Sequence, residues 1–192
     1  MGKPLDQIIV IDLEATCWEG DPPPDQEREI IEIGLCLLDV RTGRRGEHTS
    51  IVVRPERSTV SAYCTELTTL TQEEVEGGIS FAEACRLLRD TYRSRQGVWA
   101  SFGDYDRQQF ERQCRSQQVV YPFGPRHINV KTLASLIHRI GLACSTACLH
   151  ASTLRTSPTV GLKPAQLSLG DVREVLVVSC AGGAVRGRAP EL

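Results

Sequence analysis

Residues 8–13, IIVIDL, begin as an unbroken apolar run and predict a strand that enters the core. A loop containing the acidic, proline-rich GDPPPDQE follows. Residues 30–40, IIEIGLCLLDV, form a second long apolar run with partial alternation at its start, read as a strand of the same core. The turn signal RTG at 41–43 leads to a third strand over 49–54, closed by Pro55. Strands joined by short turns predict an antiparallel meander. No glycine-rich phosphate loop follows the first strand, which removes the usual mechanical support for dinucleotide binding.

From Thr71 the period changes. In TQEE, residues 71–74, a threonine precedes a glutamate at capping-box spacing, and Gly77 and Gly78 end the segment. Residues 80–94, SFAEACRLLRDTYRS, place Phe81, Ala84, Cys85, Leu88 and Tyr92 on one stripe, with Ser80 and Glu83 as a second capping box, and predict a helix. A short strand over 97–102, a helix over 104–114, and a strand end running into a helix over 127–140 follow. Strands first, then alternating helices and strands, predict an α/β fold with a mixed sheet covered by helices. After Ile140 the chain turns rich in Ser, Thr, Cys and Ala. Residues 167–178, LSLGDVREVLVV, read either as a helix with Asp171 in its first turn or as a strand, and 180–192 as a flexible tail. One domain is expected over 6–178.

Composition narrows the partners. The chain has 192 residues, 41% hydrophobic and 24% charged, with a formal net charge of −2. That length suits one well-buried core. Near-neutral charge gives no whole-surface attraction to nucleic acid, so phosphate binding must rest on a local basic patch or on metals. No apolar run long enough to span a bilayer and no cationic-then-apolar leader are read, which predicts a cytoplasmic or otherwise intracellular protein without a membrane partner. Of the 8 cysteines, Cys17, Cys36, Cys64, Cys85 and Cys114 lie in apolar or amphipathic patterns at irregular spacing, which favours free thiols. Cys144, Cys148 and His150 lack a second close pair to complete a zinc site.

The chemistry begins with Asp12 and Glu14. In a strand they share one face, because side chains alternate with period two. They are either strand-end acids that reach solvent or a repelling pair relieved by a hard divalent cation. Asp104 and Asp106, in SFGDYDRQQF, either cap the following helix and favour its positive end or act as further ligands. Arg107, Arg112, Arg115, Arg126, Lys131 and Arg139 follow, opposed in that stretch by Glu111. Carboxylates beside a basic flank suit a phosphodiester enzyme, since acids hold metals and bases attract the strand.

DLEATCWEG, EIIEIG, YCTELTTLT, SFGDYDRQQF and HINVKTL, in that order, resemble the DEDDh exonucleases of the ERI-1-like branch of the ribonuclease-H-like superfamily. The resemblance covers residues 6–140 and implies a mixed five-stranded sheet with helices on both faces. It implies two Mg²⁺ or Mn²⁺ ions held by four acids, and a histidine that activates water to hydrolyse the terminal phosphodiester at the 3' end of RNA or single-stranded DNA. Carried over, Asp12, Glu14 and Asp106 are the first three acids, and Asp171 falls at the spacing of the fourth. Where the family places its histidine stands Gln166, which cannot act as a base near neutral pH. His150 has the wrong spacing, and His127 and His138 are no better placed. The alternative is therefore a catalytically impaired relative that binds nucleic acid or a protein partner. Thr16 and Trp18, just beyond the acid strand, Tyr63 and Leu67 in a loop over YCTELTTLT, and Phe102 are the substrate-contact candidates. Thr69 stands where the family commonly has glycine. Glu32 is expected to make a structural hydrogen bond to a turn.

Overall fold

The structure is a computed structural model that describes residues 6–138. Asp171, Gln166, His150, Arg139, the Cys144 and Cys148 pair and the tail over 180–192 lie outside the described residues.

Strands β1 (Gln7–Ala15), β2 (Ile30–Asp39) and β3 (Arg45–Val52) form the expected antiparallel meander. β3 starts earlier than its apolar pattern suggests. Gly43 takes φ 67°, and the Asp39 carboxylate accepts the Thr42 N–H at 2.7 Å and its hydroxyl at 2.8 Å, so the chain reverses early and Arg45 already pairs with Leu38. β4 (Val98–Ser101) and β5 (His127–Asn129) then add in parallel beyond β1, giving the order β3-β2-β1-β4-β5. β1 is thus central, antiparallel to one neighbour and parallel to the other.

Five helices connect and cover the sheet: α1 (Ala62–Thr68), α2 (Gln72–Glu76), α3 (Phe81–Asp90), α4 (Tyr105–Ser116) and α5 (Val130–His138) among the described residues. Both capping boxes form as the spacing predicts, Thr71 with Glu74 and Ser80 with Glu83. α1 is a correction, because YCTELTTLT folds as a helix instead of a loop. Ser61 caps it by accepting the Cys64 N–H at 3.0 Å, and it ends where Thr69 turns left-handed at φ 64°. That backbone explains why a glycine suits position 69.

Alternation divides the sheet into two faces. Ile9, Ile11 and Leu13 with Ile33 and Leu35 join Phe81, Ala84, Cys85 and Leu88 of α3 and Phe110 and Cys114 of α4 in the main core. Trp99 stacks on Phe123 in that core, with ring centroids 4.2 Å apart. On the opposite face Val130 of α5 packs with Ala100, Ile8, Phe102 and Ile128. Helices therefore cover both faces, and the face of Ile8 and Val10 also carries Asp12 and Glu14.

The fully buried carboxylate of Glu29 anchors the entry to β2. It accepts the backbone N–H groups of Glu56, Arg57 and Ser58 at 3.1, 2.9 and 2.8 Å and the Gln117 amide at 3.0 Å. The connection after β3 is thereby tied to the end of α4.

Candidate active site

β1 runs past its parallel partner: its last pairing with β4 is Val10 with Ala100, so Asp12 and Glu14 lie where the sheet opens beyond the carboxyl end of β4. Across β2 the register sets Glu14 opposite Glu32 and Asp12 opposite Gly34. Gly34 leaves a gap. A Cβ there would lie 3.5 Å from His48 Nε2 and 3.7 Å from Asp12 Cβ, so the imidazole of β3 leans over β2 toward the acid strand. The chain turns after β4 into α4, whose first turn carries the buried Asp106. The backbone N–H groups of Leu13 and of Asp106 itself and the Ser101 hydroxyl lie near the Asp106 carboxylate and favour its ionised form.

Burial and mutual repulsion act on all three acids. Burial, then the charges of Asp106 and Glu32, push Asp12 up to about 7. Burial, then Asp12 and Glu32, push Glu14 up to about 7. Asp106 also rises to about 7, mainly by burial with a contribution from Glu14, against the lowering effect of the Leu13 hydrogen bond. Three desolvated, mutually repelling carboxylates have the donor chemistry of a hard divalent cation site. Yet no group of three or more His, Cys, Asp and Glu side chains among the described residues is arranged to hold an ion.

Asp104 occupies the N-cap position of α4 without a side-chain capping bond. Its carboxylate instead accepts Arg107 Nη2 at 3.1 Å and Asn129 Nδ2 at 2.9 Å. The basic flank is accordingly not one open patch: Arg107 is engaged by Asp104 and Arg112 donates to Gln109, while Arg115 and Arg126 are exposed. Glu32 bonds the hydroxyl of Ser50 on β3, not a turn, and its charge reaches Asp12 and Glu14.

The substrate-contact candidates differ in accessibility. Thr16 is 0% exposed, and its hydroxyl accepts the Glu29 N–H at 2.9 Å and donates to the Glu27 carbonyl at 3.2 Å. It holds the loop after β1 in place. Trp18 is half-buried just beyond it, and Phe102 packs in the cluster around Val130. Tyr63 and Leu67, one helical turn apart on α1, are 37% and 61% exposed. α1 is itself pinned beside the acid strand, since Ser61 Oγ donates to the Cys17 carbonyl at 2.7 Å and Cys64 Sγ to the Ala15 carbonyl at 3.6 Å. His48, Ser101 and the buried Glu29 were not singled out by pattern. For His48 the available signal was alternation, which places it with Ser50 on the face that Gly34 and Asp12 share.

A mixed five-stranded sheet in this order, flanked by helices and with acids beyond the end of its central strand, is a ribonuclease-H-like architecture. The RNase T exonuclease family matches residues 9–140, and the chain belongs to it. Within that family it carries a DEDDh-type 3'-5' exonuclease domain related to 3'hExo and 3'-5' exoribonuclease 1. The human 3'-5' exoribonuclease 1 is 33% identical over 135 residues, covering 66% of this chain and 38% of that protein. The 3'-5' exonuclease Snipper of Drosophila melanogaster is 36% identical over 94 residues, covering 48% of this chain and 34% of that protein. The chain thus spans little more than a third of these relatives. The nuclease domain of 3'hExo, a DEDDh family member bound to rAMP, aligns with a TM-score of 0.64 at 28% identity, covering 72% of this chain and 73% of that one. Among the described residues no helix is long and apolar enough to cross a membrane.

Proposed function

We propose that this chain binds the 3' end of RNA or single-stranded DNA on an exonuclease fold whose hydrolytic capacity is impaired. The carrying observation is the acid site itself. Asp12, Glu14 and Asp106 are close enough to raise one another's pKa, but with Glu32 beside them they do not converge into an ion-holding group among the described residues. Gln166 at the family's histidine position supports the same reading. In this reading the domain extends over 6–178, and Trp18, Tyr63, Leu67 and Phe102 form the nucleotide-facing side, with Thr16 shaping it. Binding of a fluorescent single-stranded oligonucleotide that weakens with salt, with no product at high protein concentration in Mn²⁺, is the expected result. No binding at low salt would refute it.

The second reading is a metal-dependent 3'-5' exonuclease, favoured by the charge repulsion that a cation would relieve. Asp12, Glu14 and Asp106, with Asp171, would then hold Mg²⁺ or Mn²⁺. When bound, such ions supply an activated water and neutralise charge on the phosphate. The protein's own part is to hold these carboxylates desolvated and ionised against the ion. Release of mononucleotides from a labelled 3' end in Mn²⁺, lost in Asp12→Ala, would establish this reading over the first.

A further inference from the structure

Arg28, on the approach to β2, and Arg112, beyond the middle of α4, are both exposed, and one buried side chain ties them together. Gln109 is 0% exposed; its Nε2 donates to the Arg28 carbonyl at 2.6 Å, and its Oε1 accepts Arg112 Nη2. The same segment continues along the helix, where the Ile30 N–H donates to Gln113 Oε1 at 2.8 Å. Tyr105, Gln109 and Arg112 stand at i, i+4 and i+7 and so share one face of α4. Burial raises the Tyr105 pKa, and the charges of Arg28 and Arg112 both oppose that rise, which agrees with two cations on this face. The acids next to them in sequence are engaged elsewhere, Glu27 by Arg57 at 3.0 Å and Glu111 by Arg107 at 3.9 Å. Among the described residues neither Arg28 nor Arg112 forms an ion pair.

We propose that Arg28 and Arg112 form a clamp for a backbone phosphodiester of single-stranded nucleic acid, on the flank of α4 and apart from the acid site. The carboxylates of Asp12, Glu14 and Asp106 repel a phosphate once ionised, so binding without a cation needs positive charge elsewhere. Arg112 follows Asp106 by six residues, roughly 9 Å along the helix axis, so the phosphate it meets is not the one nearest the acids. A guanidinium presents five N–H donors in a planar fork; Arg112 uses one on Gln109 and leaves the others for phosphate oxygens. The bond to Gln109 also holds that fork in advance, which lowers the ordering cost of binding. A phosphate contact reads no base, so the clamp accepts any sequence. This inference rests on the nucleic-acid-binding reading above.

Fluorescence anisotropy of a labelled single-stranded oligonucleotide, measured without metal over a range of salt, tests the clamp. Arg28→Gln and Arg112→Gln should each weaken binding by about three- to tenfold and reduce the slope of log Kd against log salt by about 0.7, the double variant by about 1.4. Arg44→Gln makes the same charge change on the exposed turn between β2 and β3 and should leave affinity and slope unchanged. Arg112→Lys should keep the slope and lose part of the affinity, because the charge stays and the fork goes. RNA and DNA of one sequence should respond alike, since both carry the phosphodiester; a loss confined to one would assign the arginines to the sugar and overturn the clamp. Thermal melts of the variants should match the wild type, as both side chains are exposed. A double variant that loses no more than Arg44→Gln would refute the clamp and leave 3'-end binding standing. A wild-type protein that binds no oligonucleotide at low salt would refute both.

Discussion

The backbone N–H of Leu13, the residue that separates Asp12 from Glu14, lies near the Asp106 carboxylate and favours its ionised form. The first turn of α4 thus sits against the open end of β1 and brings a third carboxylate to the two that alternation already places on one face. Burial, with the crowding added to it, raises all three acids to about 7. Stability and pH dependence are coupled at this point.

An acid whose folded pKa lies above its unfolded value keeps its proton longer in the folded state, so unfolding releases protons between the two values. The metal-free protein should therefore lose stability as pH rises from about 4 to about 7 through these groups, and remain lower above that range. One pKa unit corresponds to about 1.4 kcal/mol, so the effect of each raised acid is on the order of a few kcal/mol at most. Thermal melts from pH 5 to pH 8 should show a falling Tm. A cation held by the acids should restore it at pH 8, and no change on adding Mn²⁺ would count against a metal site.

Glu32 faces Glu14 directly across β1 and β2, where like charges oppose pairing. Glu32→Gln retains an oxygen for the Ser50 hydroxyl and removes the repulsion. Urea denaturation at pH 8 should show a gain of about 0.5–1 kcal/mol that vanishes near pH 5, where the neighbouring acids are largely protonated. A loss of stability at pH 8 would mean that Glu32 serves the fold chiefly through its charge.

Glu29 has the opposite character, because its buried carboxylate satisfies three backbone N–H groups and an amide. Glu29→Ala leaves those donors without an acceptor and should cost about 3 kcal/mol. Glu29→Gln should recover part of this, since its amide oxygen still accepts. Chemical denaturation of the two variants measures the difference.

Tyr63 and Leu67 project from α1 with little part in the core. Replacing both with alanine should change stability by less than about 0.5 kcal/mol. If they contact the terminal nucleotide, oligonucleotide affinity should fall by about tenfold, in the range of one lost stacking contact. An unchanged Kd would remove α1 from the binding surface.

Local patterns made much of this fold legible. The apolar run of β1, the turn at Gly43 and the two capping boxes act between residues only a few positions apart, so spacing alone reveals them. Alternation likewise places Asp12 and Glu14 together, as two residues of one strand must be. The helix over Ala62–Thr68 escaped that logic. Its apolar stripe is brief, with only Cys64 and Thr68 buried, and Tyr63 and Leu67 face outward.

Sequence by itself therefore established the meander, the helices of strong period, and a pair of acids on one strand face, because each follows from backbone geometry acting locally. Folding settled what those acids meet. Glu32 came to face Glu14 through strand register, Asp106 reached Leu13 through the crossover from β4 to α4, and Ser101 met His127 through the parallel pairing of β4 and β5. Such partners lie far apart in the chain and share no periodic signal. Only chain packing, which trades burial against charge repulsion and hydrogen bonding, brings them within reach.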